Sequence, residues 1–475
     1  MTFLGIVFIP LILICFVWRP FYLLPLLIVA SVFEAGSLFG GALGDFEFGI
    51  SPFYLAEIFI FLRLAILVFQ SDRLLPSKNT SSRGIVVVLC AFWAWCFASA
   101  FVMPHLFAGT LVPAQRAERD EFAPVQWTLS NLAQAGYLTL NVGTIVYAVH
   151  VVRTLRQADA VMKALYWAVF IVVVIGFAQF VAVHTGLDFP YEAFNNNPAY
   201  AHGTSQELGA VVRTNLTFTE PSTAGSYLSA ITCGLLAGFF AGKRSVLWIL
   251  AILGCTTVLF FTTSSTGFAS LAVGLCLLML YLKFFRRHKP VGKSSPFHWI
   301  ALLSIIGIVG FVLWVTPDLL DAVLAMTIEK GESYSFWFRL AEELHSFGVF
   351  LSTYGLGVGL GSTRSSGLLT TMLSSVGIIG TGLFVYLLYR ITKWFLRSPA
   401  TRSLQMAFWA LLTLAISGIL GVPDLNRPAF WALLVVVLSQ LNVLASHPPL
   451  QFAQDSGLSR SRSPLQRPPS VVPAI

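Results

Sequence analysis

Apolar residues in this chain gather in long blocks instead of alternating with polar ones. Each block is about 20 residues long, the length a helix needs to cross a hydrocarbon layer about 30 Å thick. The blocks predict crossings near 2–18, 20–36, 52–70, 84–103, 131–152, 164–183, 223–241, 246–261, 267–284, 298–316, 367–389, 404–420 and 429–445. Only Arg19 and Pro20 separate the first two, so a tight hairpin and one broken element are both open. The expected fold is all-α: a polytopic integral membrane protein of about 12–13 transmembrane helices, with two large outer loops that contain an amphipathic helix. No basic stretch precedes the first block and no small-residue cleavage site follows it, so it is read as a retained helix and not as a signal peptide.

Composition supports the same picture. With 56% hydrophobic and 11% charged residues over 475 positions, the chain has more apolar surface than one soluble core can hide. Cys15, Cys90, Cys96, Cys233, Cys255 and Cys276 all fall inside apolar blocks, where they act as small buried residues; no disulfide, metal site or cofactor is implied. The membrane domain is expected over 1–445. The stretch 446–475, rich in Pro, Ser and Arg, has too little apolar content to fold alone and reads as a disordered cytoplasmic tail.

The net charge of +8 does not point to nucleic acid, because the basic residues sort by loop. Of the 29 Lys and Arg, 21 occupy alternate connections and the tail, including Arg19, Arg83, Arg153, Arg390 and Arg402. That side is expected to be cytoplasmic, as is the C-terminus. The opposite loops carry seven basic residues: Arg116, Arg119, Arg213, Lys330, Arg339, Arg364 and Arg427. Glu57 and Arg63 stand inside the third span, six residues apart and so on different helical faces; each is expected to have another partner, in structural ion pairing or against substrate.

Outer loops are expected at 104–130, 184–222 and 318–366, with a short one at 421–428. The second ends in RTNLTFTEPSTAGSYL, which places Arg213 and Glu220 where the loop enters a span. Glu220, Pro221 and Ser222 also fit an ordinary helix start, with side chains capping free N–H groups. Loop 318–366 contains SYSFWFRLAEELHSFGVFLS, in which Trp337, Leu340, Ala341, Leu344, Gly348 and Leu351 share one helical face and Arg339, Glu342, Glu343 and Ser346 the other. It reads as an interfacial helix, in which Arg339 and Glu343 fit an i,i+4 contact. His345 falls between the two faces and is open to two roles, packing residue or base. Next comes GLGVGLGSTRSSG, where Gly355, Gly357, Gly359 and Gly361 alternate before Arg364. Such glycines suit close backbone approach to a phosphate, or helix packing. The Lys and preceding strand of a nucleotide-binding loop are missing.

Together these segments resemble the superfamily of bacterial O-antigen polymerases and O-antigen ligases, membrane glycosyltransferases that use polyprenyl-diphosphate-linked glycans. The resemblance covers about residues 130–420. It rests on the RTNLTFTEPSTAGSYL segment and on the run from FWFRLAEELHSFGVFLS through GLGVGLGSTRSSG into the next span. Fifteen residues separate Arg339 from Gly355, as in the polymerase pattern, and eleven separate Arg213 from Gly225. The resemblance implies that Arg213 and Arg339 are catalytic, holding the donor's diphosphate with Arg364 and the backbone of Gly355, Gly357, Gly359 and Gly361. A guanidinium suits that task, since it binds phosphate oxygens in pairs and stays charged near lipid. It would offset charge developing on the leaving diphosphate without a metal. The ligases carry a histidine after the glycine run; STRSSGLLTTM has none, which leaves the base role to His345 or Glu220.

The leading expectation is therefore a polymerase of the bacterial inner membrane. It joins polyprenyl-diphosphate-linked oligosaccharide repeat units into exopolysaccharide or O-antigen on the outer face, in contact with membrane lipid and alongside a flippase and a chain-length regulator. Ligation of glycan to a lipid or protein acceptor is the close alternative. Glycolipid transport and a scaffold role are the others, although no internal repeat of a transporter is visible.

Overall fold

The computed structural model describes residues 2–43, 46–71, 82–113, 122–200, 202–204, 206–208, 211–242, 245–285 and 334–446. The crossing expected at 298–316, the first part of the 318–366 loop, the middle of the 104–130 loop and the tail from 447 lie outside these residues.

The described residues are mainly helical: α1 (Phe3–Trp18), α2 (Leu23–Ala30), α3 (Pro52–Ser71), α4 (Arg83–Leu106), α5 (Leu129–Val151), α6 (Leu155–Thr185), a short α7 (Tyr191–Phe194), α8 (Pro221–Phe240), α9 (Val246–Phe261), α10 (Ser265–Phe284), α11 (Tyr334–Ser352), α12 (Leu368–Arg397), α13 (Arg402–Gly421) and α14 (Pro428–Ser446). Nine of these are long and apolar enough to cross a membrane, which makes the chain a multi-pass membrane protein in build. α1, α9 and the stretch Pro20–Ala30 are apolar but shorter. Local signals set several boundaries. Thr128 with Asn131 and Thr154 with Gln157 form reciprocal capping boxes at the starts of α5 and α6, and Gly186 closes α6 with a φ of 72°.

Two features depart from the apolar pattern. The segment expected to cross over 20–36 stays helical only to Ala30, so Glu34 lies in a non-helical turn. Three antiparallel hairpins also appear: β1 (Phe39–Leu43) with β2 (Phe46–Ile50), β3 (Leu111–Pro113) with β4 (Phe122–Pro124), and β5 (Glu207–Leu208) with β6 (Val211–Val212). Pairs this short need support from neighbours, and they have it where described. Ser37 N, just before β1, donates to Asn196 Oδ1 at 2.7 Å, and Asn197 Nδ2 donates to Gly49 O at 3.3 Å.

α8 and α14 form the centre and are buried along almost their whole length. Small residues let the backbones close in: a Cβ on Gly234 would meet Met406 O at 2.5 Å, and one on Gly274 would meet Thr413 Oγ1 at 2.5 Å. α12 is broken at Gly377 (φ 68°, ψ −170°). The glycine-rich stretch lies against the break, with Val358 N donating to Ser374 O, Gly359 N to Ser375 O, and Ile378 N to Gly355 O at 2.8–2.9 Å. Non-helical backbone beside membrane spans is tolerated where its polar groups find partners within the protein, as these do.

The connections sort to two ends of the bundle. At one end Thr2 meets Ser37 and Leu38, Ser37 meets Asn196, and Thr214 N donates to Phe261 O, so the first helix start, the β1–β2 hairpin and the 184–222 loop lie together. At the other end the Arg390 side chain lies against Gly84 and the Arg402 side chain against Gly242. Inside α3, Arg63 donates to Phe16 O, its guanidinium 4.4 Å from the Phe16 ring centre. Glu57 is fully buried toward Thr144 and makes no ion pair among the described residues, so neither charge has an ionic partner there.

Candidate functional site

At the loop end, segments distant in sequence bring ten charged or aromatic side chains together. Arg213, just after β6, is half-buried and held by the turn between α9 and α10. Its Nε donates to Thr262 O (3.2 Å) and Thr263 Oγ1 (3.1 Å), its Nη2 to Thr263 O (3.3 Å), and its Nη1 to Gln206 Oε1 (3.2 Å). Burial lowers its pKa below the usual arginine value, Glu220 opposes that, and Arg339 adds to it. The two arginines named from sequence are therefore within electrostatic reach of one another, although 125 positions lie between them.

Arg339 projects from the inward face of α11. Its Nη1 lies 2.8 Å from where a Cβ on Gly421 would stand, next to Thr266. The expected i,i+4 contact with Glu343 is not formed. Glu343 Oε1 accepts instead from Ser365 Oγ at 3.3 Å, and Glu342 accepts from Ser366. Both acids thus tie α11 to the start of α12, and Arg339 has no ion pair among the described residues. The amphipathic character of α11 holds with a definite sense. Trp337, Leu344 and Leu351 are about 60% exposed, while Ser346 is fully buried. The apolar face looks outward and the polar face toward the bundle, as suits a helix bordered by lipid.

Glu220 stands at the N-cap of α8 with Pro221 at the first helical position, but its side chain makes no capping bond. It accepts from Ser222 Oγ at 3.0 Å instead, so capping does not account for the carboxylate. His345 is in packing contact: Nε2 lies 3.0 Å from Leu111 O and the ring sits 4.4 Å from Phe122, which clamps α11 to the β3–β4 hairpin. Arg364 is exposed, within electrostatic reach of Glu34 and Tyr200.

The glycines are used for packing. Gly355, Gly357, Gly359 and Gly361 all have φ between 78° and 104°, a region that favours glycine. A Cβ on Gly357 would meet Ser375 O at 2.6 Å, one on Gly359 would meet Ser99 O at 2.8 Å, and one on Gly361 would meet Ser130 O at 2.8 Å. The N–H groups of Gly355, Gly357 and Gly359 donate to Phe350 O, Thr353 Oγ1 and Ser375 O. Those three N–H groups are therefore taken within the protein, and Arg364 is the one cationic side chain of that stretch.

The other half of the cluster has no motif in the sequence. Arg427, buried just before α14, donates through Nη2 to Thr223 O at 2.6 Å, and its Nε lies 3.7 Å from Glu34 Oε2. Burial pushes the Glu34 carboxyl up to about 7; Arg427 opposes that, while Asp424 adds to it. Burial lowers the Arg427 value in turn, against Glu34 and Asp424. Asp424 is half-buried, and its Oδ1 accepts from Asn426 N at 2.9 Å. Around it stand Tyr54, Tyr137 and Tyr200. Tyr54 stacks on Tyr137 with centroids 4.1 Å apart, and its hydroxyl donates to Asn426 O at 2.8 Å. The sequence signal for this half is the short 421–428 loop with one basic residue, Arg427, and an acid three positions before it; the 37–51 connection offers no such signal. No family model matches the chain, and neither does any curated protein.

Proposed function

We propose that the protein is a membrane glycosyltransferase that polymerises polyprenyl-diphosphate-linked oligosaccharide repeat units on the outer face of the bacterial inner membrane. The observation that carries the reading is the convergence of Arg213 and Arg339 at one end of the bundle, with no carboxylate in ion-pair contact with either among the described residues. Arg213 is partly desolvated and feels the positive charge of Arg339, with Glu220 opposing both effects, and a diphosphate would add negative charge between the two guanidinium groups. In transfer, a hydroxyl of one repeat unit attacks the anomeric carbon of another unit. The bond to diphosphate breaks, and the arginines take up the charge that develops on the leaving group. Arg364, on the exposed side, suits the approach of the anionic headgroup. The outward apolar face of α11 suits the adjoining lipid.

Purified protein given only polyprenyl-diphosphate-linked repeat units is expected to lengthen them, and Arg213→Ala and Arg339→Ala each to cut the rate at least 100-fold. Chain growth without an added acceptor favours polymerisation over ligation. Variants that keep chain growth but lose movement of the glycolipid across the bilayer would assign the protein to transport.

A further inference from the structure

We infer that Asp424, framed by Tyr137 and Tyr200, is the acceptor side of the site: the tyrosines seat a sugar ring and the Asp424 carboxylate takes the proton from its attacking hydroxyl. This inference rests on the proposed glycosyl transfer and names the group that transfer lacked.

The geometry points there by position and by elimination. Gly421, against which the Arg339 guanidinium lies, is three residues before Asp424. Three peptide units span at most about 11 Å between Cα atoms, so the turn that carries Asp424 starts beside the arginine proposed to hold the diphosphate. His345 is bonded to the Leu111 carbonyl, outside the cluster. Glu220 accepts from Ser222 on the Arg213 side. Glu34 is 7% exposed and faces Arg427. Asp424 has one oxygen fixed by Asn426 N–H and is half-buried, so the other remains for a ligand.

Its surroundings fit a carbohydrate. The stacked Tyr54–Tyr137 pair supplies a ring face beside the carboxylate. The hydroxyls of Tyr137 and Tyr200 have no hydrogen-bond partner among the described residues, whereas that of Tyr54 is taken by Asn426 O. An aromatic face for C–H groups, flanked by free hydroxyls and a carboxylate, is what a sugar requires. The buried Glu34–Arg427 pair then acts as a positioning element, because Arg427 neighbours Asp424 in sequence and space and bonds to the first turn of α8. In the step itself the acceptor oxygen forms the bond to the anomeric carbon, the carbon–oxygen bond to the diphosphate breaks, and the acceptor proton passes to Asp424.

The test compares wild type with Asp424→Asn, which retains the acceptor for Asn426 N–H and so preserves the turn. Turnover of lipid-linked repeat units is measured with donor affinity for the same glycolipid. The expected result is a loss of at least 100-fold in kcat at unchanged donor affinity, with Asp424→Glu recovering part of it and Tyr137→Ala raising the KM for acceptor. Undiminished turnover in Asp424→Asn overturns the inference and leaves the proposed transfer standing. Loss of donor affinity together with turnover also overturns it, since a structural role then suffices. An inactive wild type removes the transfer reading and this inference together.

Discussion

The Arg339 guanidinium occupies the space that a side chain on Gly421 would need, with Nη1 2.8 Å from the position of a Cβ there. A glycine at the end of α13 thus sets where an arginine of α11 comes to rest. These two helices are separated by the whole of α12, so the contact couples the surface helix to the turn that carries Asp424.

Gly421→Ala is accordingly expected to displace Arg339 and leave the fold intact. The Cβ would meet the flexible tip of an arginine and the Thr266 hydroxyl at 3.0 Å, and both can shift. Gly421 itself has a φ of 159°, where a side chain is strained, so we expect about a tenfold loss of turnover with a stability loss of about 1–2 kcal/mol, read from kinetics and thermal unfolding in detergent.

Gly357→Ala and Gly377→Ala should behave in the opposite way. Both positions have positive φ, and a Cβ on Gly377 would meet Leu356 O at 2.3 Å and Gly355 O at 2.5 Å. Backbone cannot step aside as a side-chain tip does, so each variant should lose about 2–4 kcal/mol or fail to accumulate. Gly355→Ala, whose Cβ would meet only the Phe350 ring at 3.4 Å, should lose nearer 1 kcal/mol. Yield and melting temperature give the order.

The Glu34 carboxyl sets a pH dependence. Its folded-state value of about 7 lies above its ordinary value of 4.5, so between those limits the folded protein holds a proton that the unfolded chain has released. Its contribution to stability is therefore fully present below about pH 4.5 and is lost as pH rises toward and through 7. Glu34→Gln should flatten this part of the melting-temperature profile. Arg427→Met removes the group that lowers the Glu34 value, so the acid takes up a proton at neutral pH, and with the lost bond to Thr223 O the variant should cost about 1–3 kcal/mol.

His345→Ala should leave the pH–rate profile unchanged, because the ring packs on Phe122 and bonds to the Leu111 carbonyl. The expected effect is a small loss of stability with faster proteolysis or hydrogen exchange in α11. A lost limb of the profile would return the base role to this histidine.

How much was legible varies by element. Blocks of about 20 apolar residues predict helices, because each span must satisfy its own backbone in lipid, and the nine long helices among the described residues fall where the blocks lie. Arg213 and Arg339 stood out as cations in loops otherwise poor in them, and the structure brings them together. The role of the glycines was less visible, because alternating glycines look the same whether the backbone approaches a ligand or a neighbouring helix. The pairing of Glu34 with Arg427 was not visible at all, since 392 positions lie between them and neither belongs to a recognisable motif.

The sequence by itself determined the helices, their approximate bounds, and a few charges unusual for their loops. Those follow from local hydropathy and from the cost of placing charge near lipid, which each segment carries alone. Tertiary structure decided which residues meet: Arg339 beside Gly421, Glu34 beside Arg427, and Tyr54 stacked on Tyr137 near Asp424. Such meetings depend on how spans pack side by side, through close contacts such as Gly234 on Met406, and hydropathy carries no record of which helix lies next to which.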